Sequence, residues 1–274
     1  MNDDYIVSLR RELSLINYSQ KTIDCYLSVV TKFLIYFKKS PEQIFESDIK
    51  DYILRYDNSH TKAQQISALQ LFYKLVVHQK NKFKNFQYPR KEHRLPVVLS
   101  EEEADLIYTK ITNLKHKCIF AVLYSTGIRI DELINLKILD IDNNRNLIRI
   151  EQGKGNKDRN VPLDVDVFEL LNDYYRQYNP SIYVFNGQFS NQYSSSSVQQ
   201  FLNKYTNLSG IKKHVHPHTL RHSCFTHMYE NGIGLPTIQK IAGHKSIKTT
   251  MIYTHISNKF ISKVKTPFSK ITKK

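Results

Sequence analysis

Only three cysteines, Cys25, Cys118 and Cys224, occur in 274 residues, an odd number at wide spacing. That excludes a disulfide framework and fits buried thiols in a reducing compartment, so a cytoplasmic location is expected. Long apolar runs are missing too. No stretch of about 18 apolar residues exists, which excludes a transmembrane helix, and the acidic start Met1-Asn2-Asp3-Asp4 lacks a signal-peptide pattern. Gly153-Lys154-Gly155 lacks the spacing of a phosphate-binding P-loop, so no nucleotide cofactor is expected. No internal repeat is visible. Acids are in deficit: 25 Asp and Glu against 40 Lys and Arg leave a net charge of +15. An excess of that size favours a polyanionic partner. No basic amphipathic segment stands apart from the globular pattern, so nucleic acid is expected rather than a membrane.

The hydrophobic fraction of 41% is that of a folded chain, and the length suffices for two domains. The first 84 residues read as helices. Tyr5, Ile6, Leu9, Leu13 and Ile16 form one stripe, and Ser19 caps a second helix bearing Ile23, Tyr26, Leu27, Val30, Phe33, Leu34 and Phe37. A third starts near Ser47, and a fourth runs from about His60 to Gln79. The pattern then breaks. From Lys80 to Arg94, the cations Lys80, Lys82, Lys84, Arg90, Lys91 and Arg94 alternate with Phe83, Phe86 and Tyr88, and prolines stand at 89 and 96. This predicts an interdomain linker, assigned to residues 85–98, whose cations track a phosphate backbone.

The second domain, 99–274, opens on the capping box Ser100-Glu101-Glu102-Glu103. An apolar helix over Lys115 to Tyr124 breaks at Ser125-Thr126-Gly127. Arg129 then sits at the mouth of a new helix, with Glu132 three residues on and able to orient it. The only clear β pattern is Leu147, Ile148 and Ile150, a glycine-rich turn with Lys154 and Lys157 at its tip, then Arg159 and Val161-Pro162-Leu163. This is a hairpin. The fold class is therefore mainly α, with a small β-hairpin in the second domain.

Pro217 begins a helix expected to run to Asn231 and stop at Gly232. His218 and Arg221 share a face at i, i+3. Taken alone, this pair admits three readings: a polar helix face, a phosphate site, or, with His222 at i+4, a metal pair whose third ligand is missing because Cys224 lies off that face.

In chain order Arg129, Lys154, His218, Arg221, His244 and Tyr253 form a constellation, and here the sequence resembles the tyrosine recombinase (phage integrase) family. The matching stretches are Thr126-Gly127-Ile128-Arg129 through Glu132-Leu133, Gly153-Lys154-Gly155-Asn156-Lys157 with Arg159, His218-x-x-Arg221-His222, Gly243-His244, and Tyr253 nine residues after His244. Asp131 and the run His214, His216, His218 depart from the family pattern. The resemblance covers the whole chain. It implies an N-terminal SAM-like core-binding domain and a catalytic domain, in the minimal Xer-like layout without a preceding arm-binding domain.

For activity, the resemblance implies a site-specific DNA recombinase that cleaves and rejoins strands through a 3′-phosphotyrosine, serving integration, excision, inversion or dimer resolution. Tyr253 would be the nucleophile, and Arg129 and Arg221 the clamp on the scissile phosphate. Lys154 would protonate the 5′-hydroxyl leaving group, His218 would act as base or proton relay, and His244 would donate to a phosphate oxygen. Lys80, Lys82, Lys84, Arg90, Lys91, Arg94, Lys157 and Arg159 are expected on double-stranded DNA, with Glu132 supporting Arg129. Neither a metal nor a cofactor is implied. The resemblance further implies a C-shaped clamp, and a homo-tetramer on two DNA sites that resolves a Holliday junction. Its C-terminal tails, here Phe260 to Ile271, would exchange between protomers. Competing readings are a type IB topoisomerase, a catalytically inactive accessory DNA-binding protein, and a metal-dependent nuclease using the histidines.

Overall fold

The computed structural model describes residues 2–90, 95–153, 157–188 and 190–256. The chain folds as two compact units, Met1–Arg94 and Leu95–Lys274.

The first unit is built on helices α1 (Asn2–Leu15), α2 (Gln20–Phe37), α3 (Glu46–Leu54) and α4 (Ser59–Leu75). Local chemistry sets their ends. The Ser19 hydroxyl accepts the Thr22 N–H at 3.3 Å, and Asn58 accepts from His60 and Thr61. The expected stripes of α1 and α2 turn inward, with Leu9, Leu13, Val30 and Phe33 buried, and Leu69 and Phe72 of α4 are buried as well. Removing one such side chain from water is worth about 1.5–3 kcal/mol. Phe33 meets Tyr52 and Tyr73 edge-on, with centroids 5.3 and 6.2 Å apart.

Residues assigned by sequence to the basic stretch and linker belong partly to this unit. Phe83 is buried, Phe86 lies 4.5 Å from it ring to ring, and Tyr88 hydrogen-bonds Gln70 at 3.0 Å. Lys82 is not free. Its ammonium donates to the carbonyls of Pro41, Glu42 and Ile44 at 3.1, 2.8 and 2.6 Å and lies over the Tyr73 ring. Lys80, Lys84 and Arg90 are exposed. Lys91 and Arg94 lie outside the described residues.

The second unit begins with α5 (Glu101–Lys110), where both hydrogen bonds of the Ser100–Glu103 capping box form. Then come α6 (Leu114–Thr126), α7 (Ile130–Ile134), β1 (Ile141–Asp142), β2 (Leu147–Gly153) and β3 (Lys157–Pro162). They are followed by α8 (Val165–Tyr178), α9 (Ser195–Leu208), α10 (Pro217–Glu230), α11 (Leu235–Ala242), α12 (Ile247–Thr250) and α13 (Ile252–Ile256). The hairpin gains a third strand, β1, in an antiparallel sheet of order β1-β2-β3. Ile148 pairs with Val161 and Ile150 with Arg159, so these four side chains share one face of the sheet. Ile148, Ile150 and Val161 are buried there against a core that includes Leu123, Leu133 and Leu171.

Val98, the last residue of the expected linker, and Leu99 after it are tied to this unit. The Lys213 ammonium donates to the Val98 carbonyl at 3.0 Å, and the Leu99 N–H to the Ser223 hydroxyl at 2.9 Å. All three cysteines are free thiols, Cys118 and Cys224 buried and Cys25 partly so. Among the described residues no helix is long and apolar enough to cross a membrane.

Candidate active site

Four short structural devices bring the sequence-nominated side chains together. Gly127 ends α6 with φ +62°, a left-handed turn that sends the chain into Arg129, the residue before α7. Pro217 occupies the first turn of α10 and places His218 and Arg221 one turn apart. Gly243, at φ +64°, ends α11 and delivers His244. The short α13 holds Tyr253 against α10.

Arg221 is 3% exposed. Its guanidinium donates to the Gly127 carbonyl, to the Ala242 carbonyl at 2.6 Å and, 3.3 Å away, to Nε2 of His244. Phe225, one turn on, lies under the guanidinium at 4.9 Å. Burial lowers the Arg221 pKa to about 10, and the positive Arg129 adds to the shift, so it stays charged at neutral pH.

Arg129 is more open, its side chain 21% exposed. Glu132 accepts its Nη1–H at 2.9 Å and its backbone N–H at 2.8 Å. Burial alone would raise the Glu132 pKa. Hydrogen bonds from Arg159, the Arg129 N–H and both arginine charges overcome burial and hold it near 2.

His244 is neutral at pH 7. Burial first, then Arg221 and Arg129, lower its pKa to about 4. Its Nδ1 lies 3.0 Å from the Thr250 hydroxyl. Burial, then Arg221 and Arg129, also lower the pKa of His218, which reaches solvent. His222 packs beside Tyr253, centroids 6.0 Å apart, its Nδ1 buried without a hydrogen-bond partner. Tyr253 is 1% exposed, enclosed by Phe225 at 5.6 Å and by His244, nearly parallel to it at 6.4 Å. Burial raises its pKa to about 12 against the lowering pull of Arg221 and Arg129.

Arg129, Arg221, His218, His244 and Tyr253 thus fall in one electrostatic neighbourhood. Lys154 lies outside the described residues, and Lys157 is described in its backbone only. Arg159, expected on DNA, is instead buried in an ion pair. Its Nη1 and Nη2 donate to the two Glu132 oxygens at 2.9 and 2.7 Å, and its Nε to the Ile241 carbonyl at 2.8 Å. Sequence reading missed this, although a signal existed. Arg159 lies two residues from Val161 on one strand, and period two puts both on the inward face. Thr250, the His244 partner, carried no such signal. Among the described residues no three His, Cys, Asp or Glu side chains cluster as metal ligands would.

A net positive, partly buried cluster of side chains that includes a tyrosine suits a phosphodiester. Comparison with known proteins decides the family. Residues 97–259 match the phage integrase family, and residues 6–82 match the phage integrase N-terminal SAM-like domain. The chain belongs to the phage integrase family. A tyrosine recombinase of Thermosipho africanus is 32% identical over 275 residues, covering 94% of each chain. The crystal structure of XerA recombinase is 30% identical with a TM-score of 0.58, covering 96% of each chain. A lambda integrase tetramer bound to a Holliday junction is 19% identical, with a TM-score of 0.76 over 92% of this chain and 76% of that one, a likeness of fold. This integrase-family chain is a tyrosine-type site-specific DNA recombinase, and its mainly helical fold with a small sheet is that of its relatives.

Proposed function

We propose that this recombinase cuts DNA by direct attack of the Tyr253 hydroxyl on a scissile phosphate held between Arg129 and Arg221. The observation behind this reading is the convergence of two arginines, a neutral histidine and a tyrosine in one cluster. A phosphodiester repels nucleophiles by its charge. Two guanidiniums offset that charge and stabilise the further charge that builds on the non-bridging oxygens in the transition state.

The tyrosyl oxygen forms a bond to phosphorus as the 5′-oxygen leaves, giving a 3′-phosphotyrosine that stores the bond energy for religation. With its pKa near 12, Tyr253 is not ionised at rest, so a base must take its proton during attack. His218 is the base. Its depressed pKa keeps it neutral at pH 7 and ready to accept. Lys154 returns a proton to the leaving oxygen. His244 donates to a phosphate oxygen in the tautomer that carries its proton on Nε2, which it takes once the phosphate replaces that nitrogen as the acceptor for Arg221. Because Tyr253 is 1% exposed, α13 shifts to bring the hydroxyl to the phosphate. The reaction as written uses no metal and no nucleotide cofactor.

The DNA partner follows from the net charge of +15 and from the fold shared with a lambda integrase tetramer on a Holliday junction. On this reading four protomers act on two double-stranded sites. The exposed Lys80, Lys84 and Arg90 track the backbone together with Lys91, Arg94 and Lys157, and the tail from Phe260 to Ile271 links neighbours. The work is cytoplasmic.

The test is a trap for covalent adducts. Wild type and Tyr253→Phe are incubated with fragmented host DNA in EDTA, denatured, and protein-linked DNA is sequenced. Adducts in wild type alone are expected. DNA binding without adducts in either protein, even on nicked substrates that prevent religation, overturns the reading.

A further inference from the structure

Arg159 has no place in the chemistry above, yet it is among the most constrained cations of the second unit. Its side chain is 8% exposed. It faces inward because it lies opposite Ile150 and two residues from Val161, both buried. Its guanidinium plane meets the Glu132 carboxylate fork to fork, at 2.9 and 2.7 Å.

That carboxylate is fully used. Oε1 accepts from Nη1 of Arg159 and Nη1 of Arg129; Oε2 accepts from Nη2 of Arg159 and the backbone N–H of Arg129. A carboxylate has about four acceptor positions, and here each holds a donor. Glu132 therefore has little freedom to swing, and Arg129 takes its orientation from it. The same guanidinium reaches a second catalytic element. Its Nε donates to the Ile241 carbonyl at 2.8 Å, two residues before Gly243. Gly243 packs so closely that a Cβ there would stand 3.1 Å from Cδ of Arg159. The next residue is His244.

We propose that Arg159 is a positioning residue of the recombinase. It sets Arg129 through Glu132 and the His244 turn through the Ile241 carbonyl, and it makes no contact with DNA. The proposal rests on the reading that Arg129 and His244 act on the scissile phosphate. A lysine cannot replace it, because one ammonium does not span two carboxylate oxygens and a carbonyl with the geometry of a planar fork.

The experiment uses the full chain, as wild type, Arg159→Gln, Arg159→Lys and Arg129→Ala, on a nicked substrate that traps the adduct. The scissile group is either the normal phosphate or an uncharged methylphosphonate. Adduct formation in a single turnover and equilibrium DNA affinity against salt are measured. Both Arg159 variants are expected to bind DNA within about twofold of wild type with an unchanged salt slope, and to form adduct about 100-fold more slowly on the phosphate. On the methylphosphonate, which has no charge for Arg129 to offset, the loss should shrink to less than about tenfold, as it should for Arg129→Ala. A salt slope lower by about 1 identifies Arg159 as a DNA contact and overturns the proposal. An equal loss on both substrates makes Arg159 merely structural and overturns it too. Arg159→Lys, which keeps charge and bulk, serves if Arg159→Gln does not fold. No adduct from wild type, or an Arg129→Ala variant as fast as wild type, instead overturns the underlying assignment of the site.

Discussion

Nη2 of Arg221 stands 3.3 Å from Nε2 of His244. Arginine has no acceptor, so the imidazole nitrogen must accept, and the ring proton belongs on Nδ1, facing the Thr250 hydroxyl at 3.0 Å. One guanidinium therefore sets the tautomer of the histidine beside it. It also joins the end of α6 to the end of α11 through the carbonyls of Gly127 and Ala242.

Thr250→Val keeps the shape of the side chain and removes the acceptor for Nδ1. An unpaired buried N–H costs about 1–3 kcal/mol. Adduct formation should slow roughly tenfold, with DNA affinity unchanged. Single-turnover trapping on a nicked substrate checks this; a rate equal to wild type would show that Thr250 does not hold His244.

Acid should destabilise the second unit through its buried histidines. His116, His222 and His244 are each held near pKa 4, by burial first, against an ordinary 6.5. Between those values the unfolded chain binds protons that the folded chain refuses, so stability falls as pH drops. The slope is at most about 1.4 kcal/mol per pH unit for each histidine. Glu132, held near 2 against 4.5, extends the loss in the same direction at lower pH. Urea midpoints for this unit should be lower at about pH 5 than at about pH 7; equal midpoints would contradict the shifts.

Gly127→Ala should be among the costlier single-methyl changes. The residue has φ +62°, and a Cβ would lie 2.5 Å from Cζ of Phe225. Left-handed strain of about 1–2 kcal/mol and overpacking of about 1–3 kcal/mol add. Gly210→Ala, at φ +71° with nothing within 4 Å, should cost the strain alone. Thermal melts of the two variants make the comparison, and equal losses would mean that Phe225 yields.

Lys82 and Lys84 should separate cleanly. Lys82→Ala leaves three carbonyl groups without their common donor and should lower the stability of the first unit by about 1–3 kcal/mol, with the salt slope of DNA binding unchanged. Lys84 is exposed, and Lys84→Ala should lower that slope by about 1 without changing stability. Titrations at several salt concentrations, paired with urea melts, decide between this pattern and its reverse.

What the sequence by itself determined is what depends on near neighbours. Ser19, the Ser100–Glu103 box, Pro217 and Gly127 mark helix ends because caps, first-turn prolines and left-handed glycines act within four residues. The apolar stripe at period 3.6 foretold which face of α2 is buried. The spaced blocks from Arg129 to Tyr253 pointed to the family. Only the tertiary structure decided how individual cations are used. Lys82 finds its carbonyls about forty residues away, and Arg159 finds Glu132 at a separation of 27 and Ile241 at 82. A count of charges gives the same weight to a buried brace as to a solvated contact. The two differ only in which donors are already taken and how far the side chain is removed from water, and both depend on parts of the chain distant in sequence.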